Sequence, residues 1–157
     1  MDAKIRKYRY KLMCSGYAVI AFGLWSIVRV FLMRLTDAPG LREMLGSGEE
    51  SAEYEAVLFS ILAVVLAADL LFRLLVGRSA IRESRGERRG ITYLLLAAVY
   101  AAVSALSDLS YIVRAFGGGA SGSIVAANVV DLTSCIAMAE IAILSFSLRR
   151  AVREAAD

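Results

Sequence analysis

The chain has no histidine, two cysteines and one proline among its 157 residues. Without histidine there is no Ser-His-Asp triad, no imidazole base and no histidine metal ligand. Cys14 and Cys135 are too few for a Cys-rich zinc site or a disulfide framework. No metal or cofactor is expected, and no catalytic constellation is recognisable, so the chain does not read as an enzyme. With Pro39 the only proline, long helices on either side of it run unbroken. Charge is the other scarcity, but only locally. Charged residues are 21% of the chain and hydrophobic ones 59%, against about 45–50% in soluble domains. An ordinary charge content beside so much apolar chain means that the two are segregated.

The apolar residues fall in four blocks, 12–35, 56–77, 91–115 and 122–148, each at least 22 residues long. At about 1.5 Å per residue, each block can cross a hydrocarbon core of roughly 30 Å as a helix. A soluble bundle would carry polar residues on about half of each helix surface; the stretch 57–71 has almost none. The period-two alternation of a membrane β-barrel is missing. The fold class expected is therefore an all-α integral membrane protein, with four transmembrane helices in a single domain over residues 1–157. The first block follows a basic stretch, Lys4 to Lys11, but is too long for a signal-peptide core and reads as a retained anchor.

Charge outside the blocks predicts orientation. Lys4, Arg6, Lys7, Arg9 and Lys11 precede the first block. Arg73, Arg78, Arg82, Arg85, Arg88 and Arg89 surround the second connection, and Arg149, Arg150 and Arg153 follow the last block. Four crossings put all of these on one side. The opposite side has Arg34, Arg42 and Arg114 with six acids between Asp37 and Glu55. The positive-inside rule then places both termini and the Arg-rich loop in the cytoplasm of a multi-pass protein of the plasma or inner membrane. The basic clusters are read as topology signals that touch anionic headgroups, and no nucleic-acid partner is expected.

An internal repeat is visible. Asp69, Arg78, Ala80, Arg82 and Glu83 recur 71 residues later as Glu140, Arg149, Ala151, Arg153 and Glu154. Ile27-Val28-Arg29 recurs 85 residues later as Ile112-Val113-Arg114. The pattern predicts two parallel-repeat helical hairpins, residues 1–83 and 87–154, inserted in the same direction.

Charged groups at membrane depth cost about 2.5–3.5 kcal/mol each on insertion scales, so they seek partners or mark a site. Helical rise places Arg29, Asp108 and Asp131, with Asn128 nearby, roughly 7–10 Å outside the midplane. It places Asp69 and Glu140 roughly 4–6 Å inside it. Tyr100, Ser104, Ser107, Asp108 and Tyr111 form one polar stripe on the third span. Thr133 shares a face with Glu140, and Asp69 and Arg73 are an i,i+4 pair. Ala97, Ala101 and Ala105 make a small-residue seam suited to close packing or a homo-oligomeric contact.

Four acids (Asp69, Asp108, Asp131 and Glu140) face two bases (Arg29 and Arg73), a surplus that favours a site of variable charge. The candidate roles follow from it. One is a proton- or cation-linked transporter or channel-like protein for small molecules such as amines, built on Asp69, Glu140, Asp108, Asp131 and Arg29. In that role Asn128, Ser104, Ser107, Tyr111, Thr133 and Arg73 would support the site. The alternative is a non-catalytic subunit or regulator that docks a partner through the Arg-rich loop 77–90. The chain resembles small multidrug transporters in size and span number alone, since its first span carries Arg29 and no acid.

Overall fold

The computed structural model is all-helical. Its elements are α1 (Asp2–Leu35), α2 (Ala52–Ser84), α3 (Thr92–Arg114) and α4 (Gly122–Glu154). The structure describes the backbone of residues 2–35, 52–87, 90–114 and 122–155, and the side chains of 3–32, 34–35, 56–87, 90–107 and 130–155. The helices α1, α2 and α4 have 34, 33 and 33 residues, about 50 Å each at the helical rise. They outrun the apolar blocks at their basic ends. Helix α1 begins at Asp2 rather than residue 12, α2 continues to Ser84 rather than 77, and α4 to Glu154 rather than 148. The flanking turns are rich in Lys, Arg, Ala and Glu, all good helix formers, and contain no proline.

Glycine stops α2. Gly86 sits at φ 98°, the left-handed region that costs a glycine nothing. Its N–H bonds to the Glu83 carbonyl at 2.9 Å, and the Glu87 N–H to the Arg82 carbonyl at 3.2 Å. That pair of bonds is the Schellman closure, which satisfies carbonyls left over at the helix end.

Helix α1 packs on both α2 and α4, α3 packs on α4, and α2 and α3 touch little directly. The α1–α2 contact is tight because glycines meet there. A Cβ built on Gly77 would lie 2.7 Å from the Gly16 carbonyl oxygen, and one on Gly23 would lie 3.0 Å from the Arg73 side chain. The core between the helices is Leu12, Val19, Val76, Ala80, Met138 and Ile141, all at most 2% exposed. Ala97 and Ala101 of the alanine seam are buried, while Ala105 is half-buried.

Three helices, α1, α2 and α4, have described stretches long and apolar enough to cross a membrane; the described apolar part of α3, Thr92–Ser107, is shorter. The surface carries the same message. Val64, Leu71 and Leu75 of α2 are 62–69% exposed, as are Leu106 of α3 and Ile143 of α4. Meanwhile Arg73, Glu83, Ser134 and Ser145 are buried. Soluble monomers seldom expose contiguous apolar patches beyond a few hundred Å². An apolar exterior around a polar interior suits lipid, where the cost of solvating the outer face disappears.

Candidate functional site

The polar interior is built in two layers, each joining α2, α3 and α4. In the first, Arg73 reaches back one turn along α2, and its Nε donates to Asp69 Oδ2 at 2.7 Å. Its Nη1 donates to the Ser134 hydroxyl of α4. Its Nη2 donates to the Tyr100 hydroxyl of α3 at 3.2 Å. The Tyr100 hydroxyl in turn donates to Asp69 Oδ1. The Tyr100 ring stacks on Phe72, centroids 4.7 Å apart, and lies 5.7 Å from the Arg73 guanidinium carbon. All three guanidinium nitrogens have acceptors, and both Asp69 oxygens have donors. The side chains of Arg73 and Asp69 are 7% and 20% exposed.

The second layer lies toward the basic end. Arg149 of α4 grips Glu83 of α2 with two bonds, Nε to Oε1 at 2.6 Å and Nη2 to Oε2 at 3.2 Å. The Tyr93 hydroxyl of α3 donates to Glu83 Oε2. Its single proton is thereby used, so Ser145 of α4 is the donor in the 3.0 Å bond between the two hydroxyls. Each layer thus takes a carboxylate from α2, a tyrosine from α3, a serine from α4 and one arginine. The spacings explain why both layers face inward. Tyr93 and Tyr100 are seven residues apart, Ser134 and Ser145 eleven, and Asp69 and Glu83 fourteen. Each is close to a whole number of turns at 3.6 residues.

Two further acids lie outside these layers. Asp131 sits 3.6 Å from Arg29 Nη1, with side chains 31% and 18% exposed. Arg29 Nε and Nη1 are buried and have no hydrogen-bond acceptor among the described residues. Glu140 is exposed at the seam between α4 and α1, and its Oε2 accepts a 2.9 Å bond from the buried Ser15 hydroxyl. Among the described residues no Lys or Arg forms an ion pair with it.

Of the residues singled out from the sequence, the structure joins Arg73 to Asp69 and Arg29 to Asp131. Asp69 and Glu140 bind different partners, one inside the bundle and one on its surface. Ser104 is half-buried, while Thr133 and Ser107 are exposed. The side chains of Asp108, Tyr111 and Asn128 lie outside the described residues. Sequence reasoning missed Ser15, Glu83, Tyr93, Ser134, Ser145 and Arg149. The whole-turn spacings on α3 and α4 were the available signal, but neutral hydroxyls at membrane depth attract less notice than charges.

One correspondence stands out. Ser15 and Tyr100 are 85 residues apart, and Asp69 and Glu140 are 71 apart, the two offsets at which short residue patterns recur in the sequence. Asp69 accepts from the Tyr100 hydroxyl and Glu140 from the Ser15 hydroxyl. The match then breaks, because Arg73 corresponds to Leu144. Comparisons with family models, curated proteins and solved structures find no match to this chain. Among the described residues no group of three or more His, Cys, Asp or Glu is placed to hold a metal. Among the described residues the two layers are charge-balanced and hydrogen-bonded, and Glu140 is turned outward.

Proposed function

We propose that the protein is a small multi-pass subunit or regulator of the plasma or inner membrane, non-catalytic, with both termini in the cytoplasm. Its four spans come from a duplicated hairpin, and its Arg-rich segment 77–90, the end of α2 and the turn that follows it, docks an acidic surface of a cytoplasmic partner. The observation that carries this reading is the saturation of Asp69. Its charge is balanced by Arg73 and both its oxygens are occupied, so this layer offers no carboxylate free to load and release a proton or cation. The layer at Glu83 is closed in the same way. The matched hydroxyl–carboxylate bonds support the duplication, and Arg78 and Arg85, both exposed, support the docking loop.

A second reading, a proton- or cation-linked transporter, is favoured by Glu140 alone. It occupies the position of Asp69 in the other hairpin but has Leu144 where Asp69 has Arg73. A carboxylate with a hydroxyl donor and no resident cation suits a proton or a small amine. One experiment separates the two. The purified chain is reconstituted in liposomes and proton flux is followed with a trapped pH dye. The subunit reading expects no flux above that of empty vesicles. Flux that is present in the parent and lost in Glu140→Gln would overturn it.

A further inference from the structure

We propose that the groove between the start of α3 and the end of α4 binds the headgroup of an anionic phospholipid drawn from the surrounding bilayer. The proposal rests on the membrane reading above and is independent of whether the protein is a subunit or a transporter. The groove has a volume of about 530 Å³. Binding pockets for small ligands run from roughly 300 to 1,000 Å³, so this one can take a headgroup and the first chain carbons while the tails stay in the bilayer.

On α4 the lining is sorted by height, Phe146 lying one turn inside Arg150. Ile91, Leu94 and Phe146 form an apolar tier, and Arg149, Arg150 and Arg153 a basic one. Phe146 precedes Arg150 by one turn of α4, about 6 Å toward the apolar run. Ile91 and Phe146 are 67% and 70% exposed, a costly arrangement beside a phosphate-binding rim unless acyl chain covers them.

The three guanidinia face one lining acid, Glu154. Arg149 is already fixed, held by Glu83 and donating to the Gly90 carbonyl at 3.4 Å, so it stands as a preset wall. Arg150 pairs with Glu154 at 2.9 Å, but those side chains are 75% and 48% exposed, and such surface pairs hold little energy. A phosphate can therefore recruit Arg150, and Arg153 one turn on is exposed. Guanidinium forks bind phosphate oxygens two at a time, which a topology signal made of lysines would not do. The apolar tier separates this site from one for free phosphate. Its position on the span side of the arginines favours a lipid over a phosphorylated peptide approaching from water.

The test follows thermal unfolding of the full chain in neutral detergent during titration with phosphatidylglycerol, phosphatidylcholine or inorganic phosphate. Native mass spectrometry counts the lipids retained. The proposal expects a saturable rise in Tm with phosphatidylglycerol, one lipid retained, and little response to the other two. In R150Q/R153Q the lipid should bind roughly thirtyfold more weakly, two arginines at about 1 kcal/mol each. The double variant R6Q/K7Q, which removes the same charge from the other basic cluster, should bind like the parent. Equal weakening in R6Q/K7Q would mean diffuse charge attraction and would overturn the proposal. An equal response to phosphatidylcholine, displacement of the lipid by equimolar inorganic phosphate, or loss of the response in F146A with none in R150Q/R153Q would do the same.

Discussion

Replacing Arg73 by leucine should be among the most damaging single changes in this protein, and removing Asp69 with it should repair much of the harm. Arg73 is buried and balances Asp69, whose own side chain is 20% exposed. Taking away one partner of a buried pair strands the other charge and costs about 3–5 kcal/mol. For a chain of 150–250 residues each kcal/mol lowers Tm by about 2–4 °C, so Arg73→Leu should lose roughly 6–20 °C. Tyr100→Phe keeps the stack on Phe72 and deletes only the hydroxyl. Interhelical hydrogen bonds in membranes average about 0.6 kcal/mol, so its two bonds are together worth about 1 kcal/mol, or a drop of roughly 2–4 °C. In D69L/R73L no charge is left uncompensated. Leucine already occupies the matching position 144, where it is buried. Swapping a buried ion pair for apolar residues is often neutral, so the double variant should melt above R73L. Unfolding in detergent, followed by circular dichroism, measures all three. If R73L lost no more than Y100F, or if the double variant were the least stable, the claim that Arg73 is held by its charge balance would fail.

Glu83→Gln should destabilise by about 1–3 kcal/mol, less than R73L because Arg149 is 28% exposed and can turn to water; the same melting series reads it. Gly77→Ala should cost about 1–3 kcal/mol, since the new Cβ meets the Gly16 backbone, whereas Gly90→Ala, whose Cβ would meet nothing closer than 3.9 Å, should change Tm little. Gly86→Ala should cost about 1 kcal/mol through its positive φ, with no loss of helix content by circular dichroism. Cys14 is exposed and Cys135 buried, so a membrane-permeant maleimide should label the folded chain once and the denatured chain twice, counted by intact mass.

The helices were legible because apolar length is a strong signal. The blocks at 12–35, 56–77 and 122–148 sit inside α1, α2 and α4, and the charged extensions escaped, being helical without being apolar. Among the site residues, the Asp69–Arg73 pair could be read from its i,i+4 spacing, because both partners lie on one helix. The layer at Glu83 could not. Its members come from three helices, and which faces meet depends on packing that no single segment records. The packing asymmetry was hidden for the same reason. Offsets of 71 and 85 imply equivalent hairpins, yet α1 packs on α4 while its counterpart α3 touches α2 little directly. Glycines at 16 and 77 let α1 and α2 approach, and the matching positions are Ala101 and Leu148.

That asymmetry bears on the acid count. Read as four acids against two bases, the interior favours a site of variable charge, with pairing between helices as the other reading. The structure removes two acids from the sum by pairing, Asp69 to Arg73 and Asp131 to Arg29, and turns Glu140 outward. Asp69, with an arginine one turn on, is paired inside the bundle, and Glu140, with a leucine there, lies at the surface. A carboxylate at that depth is stable only if something answers its charge, and Ser15 answers with a neutral hydroxyl. A hydroxyl donor stabilises an ionised carboxylate far less than an arginine does. No Lys or Arg among the described residues forms an ion pair with Glu140, which is exposed at the α1–α4 seam. Glu140 is therefore the residue whose substitution separates a protein that only assembles from one that also carries protons or cations.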